Sequence, residues 1–250
     1  MSGHSKWSQI KRQKGVNDVK RGATFTRVGR EIAIAARAGG PDLDGNYKLR
    51  LAVEKARSVN MAADTIKRAI EKASGGGDSV QYEEIVYEGY GPGGVALLVE
   101  TATDNKNRTA AEVRSIFTKA GGSLAGTGAV AWQFEPRGVV TIPRNGHDPE
   151  EIALAAIDAG ADDVETDDDP IEVYSGPTDL EAVRLGLEKA GYPIESAEIA
   201  MHAKQTIELS AAHARQNLRL IESLEDLDDV QRVTANFEIP DEVFAEAASA

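Results

Sequence analysis

Apolar positions recur with a helical period over the first 77 residues, then switch to the period of strands beyond residue 80. Phe25, Val28, Ile32 and Ala35 share one face. The spacing therefore predicts a helix over Asp18 to Ala38, stopped by Gly39-Gly40-Pro41. A short helix over Trp7 to Gln13 precedes it. Asn46 is placed to cap a further helix whose inner face carries Leu49, Ala52, Val53 and Ala56. Ile66, Ile70 and Ala73 mark one more, ending at Gly75-Gly76-Gly77. The prediction is a small helical bundle with its basic residues outside.

Strands are predicted from Gln81 to Tyr90 and from Val95 to Thr103, joined through Gly91-Pro92-Gly93-Gly94. A helix follows from Asn107 to Ala120, with Val113, Ile116, Phe117 and Ala120 inward. Ala129 to Phe134 and Val139 to Ile142 are expected as two strands, with Pro136-Arg137-Gly138 turning between them. Asp148-Pro149 opens a helix carrying Ile152, Ala156 and Ile157. Short strands are expected around Val164 and from Ile171 to Tyr174. Thr178 and Glu181 have capping-box spacing before a helix with Leu180, Val183 and Leu187 inward. Ile194 to Met201 reads as a strand. The order from Val139 to Met201 is βαββαβ, the ferredoxin-like arrangement. On its flanks, Val95 to Phe134 gives βαβ. Thr206 to Leu209, a helix around Leu218 and Ile221, and Val230 to Phe237 give another. The expected fold class is α+β with three domains: a basic helical bundle over 1–78, a discontinuous ferredoxin-like domain over 79–134 plus 205–250, and a second one inserted at 135–204.

Charge sharpens this division. From Met1 to Gly77 there are 16 Lys+Arg and 7 Asp+Glu, a net of +9, within a chain of net charge -13. A basic head on an acidic body suggests that the head holds a polyanion. The chain has no Cys, which removes disulfides, thiolate nucleophiles and Cys-ligated zinc. No apolar run reaches the length of a membrane span or of a secretory signal. The expected location is cytoplasmic, with no membrane partner.

The densest basic stretch is Ser2 to Arg30, where Asp18 is the only acid. His4, Lys6, Trp7, Lys11, Arg12, Lys14, Lys20, Arg21, Arg27 and Arg30 are the candidate nucleic-acid contacts. Cations there neutralise phosphates, and an exposed Trp stacks on a base. The competing account is a solvated helix face with Trp7 docked in a core. In the body, Asp104-Asn105-Lys106-Asn107-Arg108-Thr109 places amides and two cations at a strand-to-helix junction, with Thr109 as its cap. Helix N-termini accept anions, so Lys106 and Arg108 join the candidates. The alternative is that Asp104, Asn105 and Asn107 satisfy the loop's own backbone.

Enzyme motifs fare poorly. Gly89, Gly91 and Gly94 fit G-x-G-x-x-G, but Val95 to Glu100 continues as a strand where a dinucleotide site needs a helix. Gly126-x-Gly128 also leads into a strand. There is no P-loop and no nucleophile elbow. His4, His147, His202 and His213 lack metal-ligand spacing. The acidic run from Asp162 to Asp169 lacks the Gly and Glu positions of a calcium loop. No catalytic residue, cofactor or metal is expected.

The opening MSGHSKWSQIKRQK, the segment KRGATFTRVGREI and the block YEGYGPGGVALLVETATDNKNRTAAEVR resemble the YebC/PmpR family. So do FTKAGGSLAGTGAVAWQF and LEDLDDVQRV. Ala23 stands where the family pattern has Lys, one positive charge fewer in the head. The resemblance implies an N-terminal helical domain and two α+β domains around a cleft. Bacterial members are DNA-binding transcriptional regulators, relatives include a mitochondrial translational activator, and no member is an established enzyme. The function expected is thus a non-enzymatic, nucleic-acid-binding regulator of gene expression. Its target is promoter DNA, in company with the transcription machinery, or ribosomal RNA on the ribosome. The third alternative is a protein-interaction module whose head meets an acidic partner.

Overall fold

Asn46 turns the chain at the first corner of the head. Its side-chain oxygen accepts the Leu49 amide at 3.0 Å, and its NH2 donates to the Ala35 and Gly40 carbonyls at 2.8 Å each. One buried side chain thus caps the start of one helix and closes the end of another. A Cβ on Gly39 would stand 2.6 Å from the Asn46 nitrogen, so glycine permits this approach. In the computed structural model, which describes residues 18–75, 81–167 and 169–248, the head comprises α1 (Asp18–Gly39), α2 (Tyr47–Ser58) and α3 (Ala63–Ser74). Both α2 and α3 pack on α1, burying Val28, Ile32, Leu49, Val53 and Ile66 between them. The helix expected over Trp7 to Gln13 lies outside the described residues, as do Gly76 and Gly77.

Residues 134–202 form one compact unit, and the chain on either side of them forms the other. The outer unit contains a sheet of β1 (Glu83–Tyr90), β2 (Ala96–Thr103), β3 (Ser123–Leu124) and β8 (Val230–Ala235), in the order β3-β1-β2-β8. Every neighbouring pair is antiparallel. Helices α4 (Lys106–Lys119) and α7 (Ala211–Glu225) share a core with it, built on Leu97, Val99, Phe117, Leu218, Ile221 and Val233. A last helix, α8 (Asp241–Ala248), packs on α7.

The β1–β2 connection is a hairpin turn. Gly93 and Gly94 take φ of 78° and 82°, and the Asn217 NH2 donates to the Pro92 carbonyl at 2.7 Å. The G-x-G-x-x-G pattern therefore builds a turn fastened from α7, and no helix starts there to receive a pyrophosphate. A Cβ on Gly91 would stand 2.0 Å from Asn217 Oδ1. Gly91→Ala is expected to destabilise by about 1–3 kcal/mol, because fully buried Asn217 has nowhere to retreat. Urea unfolding of the variant checks this.

The inserted unit holds β4 (Phe134–Ile142), α5 (Pro149–Asp158), β5 (Asp163–Glu165), β6 (Ile171–Ser175), α6 (Leu180–Lys189) and β7 (Ser196–Ala203, whose last residue already belongs to the outer unit). The strand order β5-β6-β4-β7 is that of a ferredoxin-like sheet. The fold is α+β, a helical head followed by two sheets, as the sequence implies.

Several local expectations are corrected. Pro136-Arg137-Gly138 does not turn: β4 runs straight through it, and pairing with β6 begins only at Gly138 opposite Ser175. Pro136 thus sits ahead of the ladder that its missing N–H would break. Ala129 to Phe134 is no strand before Phe134; Ala131–Gln133 is a short 3-10 turn. Thr206 to Leu209 contributes a single bridge, Ile207 to Phe237. The capping box at Thr178 does not form: α6 starts after Asp179 with no side-chain cap, and Glu181 instead takes Arg184 Nε at 2.9 Å and Nη2 at 3.0 Å. At α4 the cap is Asn105, which accepts the Arg108 amide at 3.1 Å; Thr109 is used elsewhere.

Candidate nucleic-acid interface

Asp229, the residue before β8, organises the ground around the candidate cations. It is buried, and its two oxygens receive four side chains. Oδ1 accepts Arg30 Nη1 at 2.8 Å. Oδ2 accepts Arg108 Nη2 at 2.6 Å, Thr109 Oγ1 at 2.6 Å and Thr103 Oγ1 at 3.0 Å. Burial alone would push this carboxyl up. The hydrogen bonds from Arg108, Thr109 and Thr103, with the Arg30 charge, outweigh it and hold the group below its usual range. Arg30 also donates to the carbonyls of Ala102, at 3.2 Å, and Asp228, and lies over the Tyr82 ring at 5.3 Å. Arg27 donates to the Glu225 carbonyl. Helix α1 is therefore fastened to the C-terminal segment through two of its arginines.

The candidate contacts separate accordingly. His4, Lys6, Trp7, Lys11, Arg12 and Lys14 lie outside the described residues. Lys20 and Arg21 fall in the first turns of α1. Arg27 and Arg30 are engaged as above. Arg108 bridges Asp229 and Asp104, the latter at 2.9 Å, and both hold its guanidinium protonated even more firmly than usual. Lys106 is exposed, its ammonium 3.9 Å from Glu83. The structure thus brings Arg30 and Arg108 together on one carboxylate.

Cations further along the head are spaced more widely than those of the first thirty residues, and acids stand between them. Lys48 and Arg57 on α2, and Lys67, Arg68 and Lys72 on α3, are exposed. They lie on the faces turned from Leu49, Val53, Ile66 and Ala73, where a solvated cation costs nothing. The head's net charge of +9 was the signal that pointed to them.

The acidity is concentrated elsewhere. Residues 134–202 contain 17 Asp+Glu and 4 Lys+Arg, a net of -13, which equals the charge of the whole chain. Part of the acidic run is tied down: Asp162 meets Arg137 at 3.3 Å, and Asp169 accepts the Arg144 amide at 3.0 Å. Among the described residues no group of three or more His, Asp or Glu is placed to hold a metal, and no helix is long and apolar enough to cross a membrane.

A second buried carboxylate shapes the loop after β3. Glu88 accepts the amides of Gly128 at 2.5 Å, Val130 at 2.7 Å and Ala131 at 2.8 Å. Burial pushes its carboxyl up, and the three N–H groups more than reverse that, leaving it below the usual range.

Two family models match the chain, one over the head and one over most of the rest. Residues 5–76 match the family described as TACO1/YebC protein N-terminal domain, and residues 82–237 match TACO1/YebC second and third domain. A probable transcriptional regulatory protein of Thermomicrobium roseum is 54% identical over 244 residues, covering 97% of this chain and 98% of its own. Its counterpart in Rubrobacter xylanophilus is 53% identical, covering 99% of this chain and all of its own. Among solved structures, the conserved hypothetical protein Aq1575 from Aquifex aeolicus superposes with a TM-score of 0.84 at 44% identity, over 89% of this chain and 92% of that one.

Proposed function

The chain belongs to the TACO1/YebC family, and from that premise we propose that it is a non-enzymatic regulator of gene expression that holds DNA through its basic head. The observation that carries this reading is the segregation of charge. A head of net +9 displays Lys48, Arg57, Lys67, Arg68 and Lys72 to solvent, while the inserted unit carries -13. Phosphate oxygens gain from the first and are repelled by the second. The names of the relatives support a regulatory role. A second reading, ribosomal RNA bound on the ribosome, draws on the same charge split. An acidic unit of this size disfavours contact along a long duplex and favours a local site within a larger assembly.

Both readings are tested by titrating labelled duplex DNA and a ribosomal RNA hairpin across a range of salt. Each phosphate contact contributes about 0.7–0.9 to the slope of log affinity against log salt. Replacing Lys11, Arg12 and Lys14 by Ala is expected to flatten that slope by roughly two units, equally for unrelated sequences. An unchanged slope with the fold intact would take these cations out of the interface and leave the protein-interaction account ahead. Preference for the hairpin over the duplex would favour the ribosomal reading.

A further inference from the structure

Trp132 is 67% exposed, yet it stands on a rigid mount. Its Nε1 donates to the Ala129 carbonyl at 3.1 Å, and the Tyr90 hydroxyl donates to that same carbonyl at 3.1 Å. The Trp132 carbonyl accepts the Lys204 ammonium at 2.9 Å. Glu88 fixes the amides on the other side, Ala131 among them. An indole this exposed adds little to the fold, since apolar stabilisation scales with area removed from water. Tyr90, 37% exposed, brings a second ring to the same anchor.

One cation stands at the rings, Lys204 on the Trp132 carbonyl. From Val113 to Phe134 the charged residues along the chain are Arg114 and Lys119, and the acidic insert begins just beyond, at Glu135. Glu88, the carboxylate that touches the loop, is buried and already bonded to three amides. At Gly126 and Gly128 a Cβ would meet open space, so the backbone beside the rings is bare and open to close approach.

We propose that Trp132, with Tyr90 beside it, is a stacking platform for an unpaired nucleobase, so that the protein takes a single-stranded segment here in addition to the phosphates at its head. The proposal rests on the nucleic-acid reading above. A base offers a flat π-face that covers an indole without needing a wider interface. A folded protein partner would need about 800 Å² of complementary surface, and the loop offers two rings among small residues. Bases inside a duplex are stacked on each other, so the platform selects unpaired ones.

Trp7 and Trp132 are the only Trp residues, so Trp7→Phe leaves Trp132 as the sole indole reporter. That variant is titrated with an oligothymidylate and an oligouridylate of about 15 nucleotides, and with a duplex of the same length. Single strands are expected to quench the fluorescence and the duplex to leave it nearly unchanged. In the otherwise unaltered chain, Trp132→Ala should weaken single-strand binding about 5- to 160-fold with no change in salt slope, and Trp132→Phe should restore most of it. The exposed ring makes both variants safe for folding, and an unchanged melting temperature verifies that. Single strands that bind with a head-dependent salt slope, but neither quench Trp132 nor sense its replacement, would overturn the platform and leave the nucleic-acid reading standing. Equal weakening of single strand and duplex would overturn it too. If no nucleic acid binds at all, both readings fall together.

Discussion

Asp229→Ala is expected to cost about 3–5 kcal/mol of stability, the range for removing one partner from a buried ion pair. The carboxylate gathers Arg30 from α1, Arg108 and Thr109 from α4, and Thr103 from β2. Without it, the Arg30 guanidinium keeps backbone carbonyls and the Tyr82 ring but no counter-charge, and the buried Thr103 and Thr109 hydroxyls lose a charged acceptor. Asp229→Asn should cost less, because it keeps the shape and one acceptor oxygen. The pH dependence has a definite sign. The folded carboxyl is held below its usual range, so its contribution is fully present above the unfolded value, near 4, and is lost as pH falls through the lower folded value. The native chain should therefore lose stability below about pH 4, and Asp229→Asn should lack that part of the decline. Urea titrations at neutral and acid pH separate the two. An alanine variant as stable as the native chain would mean that the arginines find water as good a partner.

Glu88→Ala carries the second large effect. Three amides lose a charged acceptor, and hydrogen bonds to charged groups contribute about 1.5–3 kcal/mol each. Gly128 is exposed and recruits water, which leaves Val130 and Ala131 to bear the loss. A net cost of about 3 kcal/mol follows. Exchange of the Gly128, Val130 and Ala131 amides should accelerate by about 100-fold or more, while the β2 amides stay protected. Glu88→Gln should fall between, since its NH2 confronts one of the three donors. Unchanged exchange at Val130 would show that the loop is held by other contacts.

What was legible in the sequence, and what was not, follows from distance along the chain. Asn46 announces its cap because its partners, from Ala35 to Leu49, lie within one helix-turn-helix. The inward faces at Leu49 to Ala56 and at Leu180 to Leu187 follow from spacing alone. Arg30 was legible only as a cation among cations. Its partner, Asp229, lies 199 residues away, and composition cannot pair the two. The stretch from Ala129 to Phe134 looked like a strand for the same reason: Glu88, 42 and 43 residues before Val130 and Ala131, takes N–H groups that a ladder would have used. Pro136-Arg137-Gly138 carried the signature of a turn. The chain stays extended there because Gly138 admits Ser175 Oγ to within 2.5 Å of where its Cβ would stand. The cations of α3 were visible as residues, but their exposure became clear only once Ile66 and Ala73 were seen to occupy the other face.

The nesting of one unit inside the other sets an order of events during synthesis. The segment 134–202 is continuous, so it holds everything it needs once it has left the ribosome, and domains commonly fold as units as they emerge. The outer unit has to wait. Until β8 arrives, β2 has an unpaired edge along Leu97 to Thr101, a liability for wrong pairing. The head waits as long, because the carbonyl of Glu225 and the carboxylate of Asp229 that fasten Arg27 and Arg30 lie 198 and 199 residues further along the chain. At about 5–20 residues per second, that interval lasts roughly 6–25 seconds. A late segment of the chain thus locks an early one, and a message cut short after the insert would leave a finished insert, an open sheet edge and an unfastened head.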